Sequence, residues 1–303
     1  REEVLGRVDD LDARTIAISA LPRTLTPDVV RALGLPEGLV DQLVAHGLHL
    51  RRADADDDRH AYHPLLRQLL LELLTSSIPD DELATLHART AAAMATTGDH
   101  EEAIEHWLAA GDGDRAVAAM AAAADTLTVT APGLVRGWLQ RLPEAIRRTA
   151  PAQLVDGRVA WAAGDYDRAI ASLQAPLRDG DADPATRTWC RFLLLDCLIM
   201  VGRHDEAVAL GSAAPVDEAG GGLLAVATTM YTAHALASVG RFDEADDLAA
   251  SARPRADESV IAPIDVVRRA YTDLPAGRLD QATGRQVLSL IHISEPTRLR
   301  RIS

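Results

Sequence analysis

The chain has no lysine: all 31 of its Lys and Arg positions are arginine. A phosphate-binding loop of the GxxxxGK[ST] type needs its lysine to reach the β- and γ-phosphates, so no such loop lies within these 303 residues. Aromatic residues are also scarce, at 3% of the chain against 48% hydrophobic residues, many of them Ala and Leu, a balance that fits packed helices better than sheets. Cysteine occurs twice. Cys190 and Cys197 are seven positions apart, which on one helix separates them by about two turns and roughly 10 Å, beyond the reach of a disulfide. No apolar run reaches the ~18 residues that a membrane-spanning helix requires. Unbridged thiols and no membrane segment lead to the expectation of a cytoplasmic protein. A net positive charge is lacking too. With a formal charge of −14, the chain is poorly suited to gripping nucleic acid, whose phosphates demand a clustered cationic face.

Chemical motifs are equally sparse. Neither a GxSxG elbow nor a cysteine motif marks a nucleophile, and the cysteines sit among Trp189, Phe192, Leu193 and Leu194, which reads as core. His100, Glu105 and His106 fall near one helix without the HExxH spacing of a zinc hydrolase, so a surface or packing role is expected. Asp54, Asp56, Asp57 and Asp58, with His60 and His63, have the residue types of a hard-metal site. They lie at the tip of an expected β-hairpin, however, where a solvated acidic turn is the simpler reading. No catalytic residue and no metal ligand is assigned, and the chain is not expected to be an enzyme by itself.

What the chain does have is a repeat. The segments Gly164–Ala169 (GDYDRA), Gly202–Ala207 (GRHDEA), Gly240–Ala245 (GRFDEA) and Gly277–Ala282 (GRLDQA) follow one another at separations of 38, 38 and 37. In each copy the Gly suits a sharp turn between two helices, and the Ala five positions on marks close helix approach. The intervening Asp167, Asp205, Asp243 and Asp280 complement the positive end of a helix dipole. Gly111–Ala116 (GDGDRA) is a degenerate copy. Such a period predicts stacked helical hairpins, a tetratricopeptide-like solenoid. Tyr166, Ala169, Ile170, Leu173 and Leu177 form one apolar stripe at helical spacing. Trp107, Trp138, Trp161 and Trp189 have the chemistry of a stacking groove, although a Trp in a helical repeat more commonly fills space between hairpins.

The N-terminal part is organised differently. Helical segments VLGRV and DARTIAISAL precede Thr26-Pro27, a capping residue followed by a helix-starting proline. Helices DVVRALGL and EGLVDQLVAHGL follow, then His49–Arg52, an acidic turn at Ala53–Asp58, and Arg59–His63, which alternates like a returning strand. Three short helices and a two-stranded wing make a winged helix. Its third helix carries Glu37, Asp41 and His46 with no Arg before Arg51, so DNA contact by this module is not expected.

Several stretches resemble one family when taken in order. Tyr62–Leu66 (YHPLL) with Arg67, Leu86-His87, Gly98–His106 (GDHEEAIEH), Ala109–Asp112 (AAGD), Leu134–Glu144 (LVRGWLQRLPE), Pro151, Trp161 and Gly164 are similar to the region after the ATPase in MalT-like, LuxR-type activators, signal-transduction ATPases with numerous domains (STAND). The resemblance runs from about residue 10 to 287. It implies a winged helix over residues 1–78, linking helices over 79–150 and a helical-repeat sensor over 151–287, with the P-loop ATPase and a LuxR helix-turn-helix outside the chain. It further implies ATP or ADP as cofactor of the full protein only and an inducer or regulatory protein on the solenoid. Self-association is implied as well, with DNA contact only through the absent helix-turn-helix. Tyr62-His63-Pro64-Leu65 resembles the Met-His-Asp-Leu motif of related switch ATPases, so His63 is the implied nucleotide sensor, with Pro64 replacing the acidic residue; the other reading has His63 satisfying a helix terminus. A stand-alone scaffold that only binds proteins is the alternative function. Residues 288–303 break in style, and Leu288–Arg298 (LSLIHISEPTR) looks like a translated sequencing adapter rather than native protein.

Overall fold

A computed structural model describes residues 12–48, 50–52, 59–179, 182–213 and 223–252. The helix expected before residue 12, the acidic turn at 53–58, the repeat copy containing Gly277 and Ala282, and the segment 288–303 lie outside the described residues. The described part is mainly α, with sixteen helices and one two-stranded sheet. It divides into two compact units, Arg1–Arg147 and Arg148–Ser303.

The first unit opens with the winged helix. Helix α1 (Ala13–Ser19) starts at Asp12, whose carboxylate accepts the Arg14 and Thr15 amides. Helix α2 (Pro27–Ala32) is capped by the Thr26 hydroxyl and begins with proline, and α3 (Leu39–Ala45) is entered through Gly38 at φ 76°. Strands β1 (Leu50–Arg52) and β2 (His60–Tyr62) pair antiparallel, with Leu50 opposite Tyr62, and Leu25 adds a bridge to His60. Ile16, Leu25, Val29, Leu39, Leu43 and Leu70 close the core, the last from α4 (Pro64–Ser77).

Residues 79–147 belong to this same compact unit. They form α5 (Asp80–Thr97), α6 (His100–Ala109), α7 (Gly113–Ala122), α8 (Ala124–Thr130), α9 (Pro132–Arg141) and α10 (Glu144–Arg147). Long polar side chains tie them to the winged helix. Arg89 of α5 donates from Nε to the Ala32 carbonyl at the end of α2, 3.0 Å away, satisfying one of the acceptors that a helix C-terminus leaves open.

The second unit consists of three helical hairpins among the described residues. These are α11 (Ala150–Ala162) with α12 (Tyr166–Asp179), α13 (Pro184–Met200) with α14 (His204–Ser212), and α15 (Leu223–Ser238) with α16 (Phe242–Ala252). Helices α11, α13 and α15 pack successively on one another, as expected for a solenoid of hairpins. On α12, Ala169, Ile170 and Leu173 are buried, with Tyr166 and Leu177 packed half-buried beside them. At Gly157 of α11 a Cβ would fall 2.6 Å from Leu173, so only glycine admits this close crossing of α11 and α12. Cys190 and Cys197 are buried, free thiols whose pKa burial pushes up to about 12, which leaves them as unreactive core groups.

One turn recurs through both units. Gly98, Gly111, Gly164, Gly202 and Gly240 have φ between 73° and 81°. In each case the next residue's amide reaches back five positions, from Asp99 to Met94, Asp112 to Trp107, Asp165 to Ala160, Arg203 to Leu198 and Arg241 to Leu236, at 2.8–3.1 Å. This is the Schellman closure of a helix C-terminus. The following helix starts at once, by two chemistries. Asp99, Asp112 and Asp165 accept the amide three positions on, at 3.1, 3.0 and 3.3 Å. Arg203 and Arg241 instead hold Glu206 and Glu244 with paired hydrogen bonds of 2.5–2.7 Å. Five positions after each glycine, Ala103, Ala116, Ala169, Ala207 and Ala245 are all 0% exposed.

A Cβ at Gly240 would meet nothing within 4 Å, so Gly240→Ala isolates the conformational term. It is expected to cost about 1 kcal/mol and lower the Tm in thermal unfolding followed by circular dichroism. An unchanged Tm would show that the left-handed turn is not what limits the hairpin.

Candidate functional site

The face on which α11, α13 and α15 meet carries four aromatic residues, Trp161, Trp189, Phe192 and Tyr231. Trp189, Phe192 and Asp196 lie at i, i+3 and i+7 on α13, which places them on one side of the helix. Trp189 and Phe192 meet edge-on with centroids 6.1 Å apart, and Phe192 meets Tyr231 of α15 at 5.2 Å and 79°. From α11, the Arg158 guanidinium lies 4.7 Å over the Trp189 ring, and Trp161 donates its indole N–H to Asp196 Oδ2 at 2.5 Å. All six side chains are half-buried. Edge-to-face rings, a stacked guanidinium and a carboxylate make a surface with both apolar area and fixed polar groups, the combination that binding sites for small planar or cyclic ligands use.

Two titratable groups on α13 and α15 are displaced from their ordinary values. Burial pushes the Asp196 carboxyl upward, and the Trp161 N–H only partly offsets it. An ionised Asp196 is therefore held at a cost to folding, a pattern common at functional positions. One turn after Tyr231, His234 is lowered to about 4 by burial, with the charge of His204 adding to the effect. It is neutral at pH 7 and loses stability for the fold as pH drops from about 6.5 toward 4.

A separate groove of about 340 Å³ lies where α12, α13 and α14 adjoin, with Leu177, Leu194, Leu198 and Leu210 in its walls and Arg178 and Glu206 at its rim.

In the first unit, His63 caps α4. Its Nδ1 accepts the Leu65 amide at 3.4 Å, a local structural task for the ring. Next to it runs an open groove of about 620 Å³ walled by Arg23, Tyr62, Pro64, Arg67, Gln68 and Leu71, among others. Arg67 is already engaged, donating to the carbonyls of Leu21 at 2.7 Å and Pro22 at 3.3 Å. Beside the exposed face of α3, a groove of about 460 Å³ includes Glu37 and Asp41 with Arg31 and Arg52. Arg31 pairs with Asp28 at 2.7 Å, so this surface has no cationic excess to offer phosphates.

The four tryptophans separate into two settings. Trp107 and Trp138 are buried in the first unit, where Arg115 stacks 4.8 Å over Trp107 and Trp138 donates to Glu105 at 2.6 Å. Glu105 also accepts from Arg141, so it packs rather than ligates. Trp161 and Trp189 lie on the half-buried face of the second unit. Arg158, Asp196 and Tyr231, which complete that face, carry no motif; the visible signal is one acidic residue inside the apolar run LLLDCLIM. Among the described residues no group of His, Cys, Asp or Glu is arranged to hold a metal ion, and no helix is long and apolar enough to cross a membrane.

Compared with curated proteins, the chain is 33% identical over 118 residues to the HTH-type transcriptional regulator MalT of Cronobacter sakazakii (strain ATCC BAA-894), a stretch that spans 37% of this chain and 12% of that regulator. No protein-family model and no solved structure matches the chain.

Asp196→Asn keeps an acceptor for Trp161 but removes the buried charge. It is expected to raise the Tm at pH 7.5 by a few degrees, and the gain should be smaller at pH 4.0, because the raised carboxyl takes up its proton sooner in the fold than in the unfolded chain. Thermal melts at both pH values check this; a lower Tm at pH 7.5 would mean that the carboxylate stabilises the fold.

Proposed function

We propose that this chain is a regulatory middle region of a LuxR-type, ATP-dependent transcriptional regulator similar to MalT. The observation that carries the reading is the stretch of 118 residues at 33% identity to that regulator. Three features support it. The winged helix precedes the helical hairpins in chain order, the lysine-free chain leaves nucleotide hydrolysis to another part of the protein, and α3, with Asp41 and no basic residue, leaves DNA contact to another module.

In this reading the second unit is the sensor. Its face of Arg158, Trp161, Trp189, Phe192, Asp196 and Tyr231 receives a small-molecule inducer, or the hairpins receive a regulatory protein. The first unit couples that event to an ATPase upstream, with His63 near the nucleotide. ADP and ATP then bias a two-state interface in opposite directions, and the full protein self-associates in its active state in the cytoplasm and reaches DNA through its helix-turn-helix. This region itself performs no catalysis.

Intrinsic fluorescence of Trp161 and Trp189 reports on the proposed site. Titration with pooled sugars, nucleosides and aromatic metabolites is expected to find a compound that changes the emission, with Arg158→Gln and Tyr231→Phe each weakening its binding at least tenfold. A hit bound equally well by both variants would place the sensor surface elsewhere, and no hit across the pools would favour a protein as the inducing partner.

A further inference from the structure

In the first unit a line of polar groups, with Glu102 and His106 buried and His87 half-buried, joins three elements. Glu102 and His106, one turn apart on α6, are 1% and 7% exposed, and Glu102 Oε1 lies 3.5 Å from His106 Nε2. The same oxygen accepts the Arg23 amide at 2.5 Å, from the turn between α1 and α2, while Oε2 is buried without a hydrogen-bond partner. On its other side, His106 Nδ1 is 2.7 Å from Nδ1 of His87 on α5, with the rings tilted by 38° at a centroid distance of 5.0 Å.

Two imidazole nitrogens at that distance hold one hydrogen between them. With none, two lone pairs face each other; with two, the hydrogens collide. The Glu102 carboxyl favours the His106 tautomer with its proton on Nε2, which leaves His106 Nδ1 as acceptor and His87 Nδ1–H as donor. One added proton goes to an outer nitrogen and the bond survives. When both rings are charged, each Nδ1 carries a hydrogen and the 2.7 Å approach is lost.

The surrounding charges are Arg23 from the α1–α2 turn and Arg67 from α4, with Glu105 on α6 committed to Trp138 and Arg141 of α9. Arg67 binds the Leu21 and Pro22 carbonyls while Glu102 binds the Arg23 amide, so residues 21–23 are gripped from two sides. We propose that Glu102, His106 and His87 form an acid-opened latch that fastens this turn of the winged helix to α5 and α6, closed while the two imidazoles share one proton and open when each carries its own.

Burial, and secondarily the charge of His106, lower His87 to about 4. The folded state thus favours neutral His87 while the unfolded chain takes up a proton near pH 6.5, so the latch is intact above that value and weakens as pH falls toward 4.

Hydrogen exchange of the whole chain at pH 7.5 and pH 4.0, expressed as protection factors, tests the latch. Wild type is expected to lose at least tenfold protection at pH 4.0 in the Arg23 amide and in the facing turns of α5 and α6, while α2 and α3 keep theirs. His87→Asn retains a side-chain N–H near the Nδ1 position but cannot titrate, and should remove this pH step. Glu102→Gln should weaken Arg23 protection at both pH values. Equal loss throughout the unit, no local loss in wild type, or the same step persisting in His87→Asn would each overturn the proposal. The wild-type comparison stands alone if a variant fails to fold.

Discussion

The described structure depends on how it ends one helix and starts the next within two residues. A glycine in the left-handed region closes the C-terminal carbonyls, the following helix starts within two residues, and an alanine five positions on lets the two helices touch. Each requirement excludes the alternatives. A Cβ at the turn is strained by the sign of φ, and a larger residue at the alanine would force the helices apart. Hairpins built this way bury their apolar stripes against neighbours at about 25 cal/mol per Å², without contacts distant in sequence. The residue after the glycine varies: aspartate caps the next helix through its carboxylate, whereas Arg203 pairs with Glu206 three positions on and accepts no backbone amide.

A stack made so economically has room for polar groups that stability alone would remove. Asp196 keeps a carboxyl that burial disfavours, His87 and His234 are held neutral, and Glu102 leaves one oxygen unpaired. Buried groups of this kind cost free energy unless they are fully bonded, and they are replaceable by apolar residues of similar size. They fall in two places. One is the aromatic face shared by α11, α13 and α15, and the other is the junction of the winged helix with α5 and α6. The regulatory reading gives each a task, recognition at the first and coupling at the second.

Much of the architecture was legible because its signals are local. Gly164, Gly202 and Gly240 announce helix ends by residue type, Thr26-Pro27 announces a helix start, and alternation over residues 59–63 announces the wing strand that pairs as β2. The same turn at Gly98–Ala103 was harder to see, because it lies only 13 residues before Gly111 and a search for a period near 38 passes over it. The polar sites were legible only in fragments. His87 and His106 are 19 residues apart on different helices, and Trp161 and Asp196 are 35 apart, so each pairing is set by helix packing rather than spacing. His63 was visible as a helix terminus and a family-like motif at once, and its ring caps α4.

On the proposed function, these two units belong to a larger nucleotide-driven regulator. Long-read sequencing of the source locus through both ends of this reading frame tests it most directly. A lysine-bearing P-loop is expected upstream of Arg1, with a frame that continues beyond Val287 into a basic helix-turn-helix in place of residues 288–303. A frame that starts near Arg1 and stops at Ser303, with neither module, would contradict it and leave a self-contained helical scaffold.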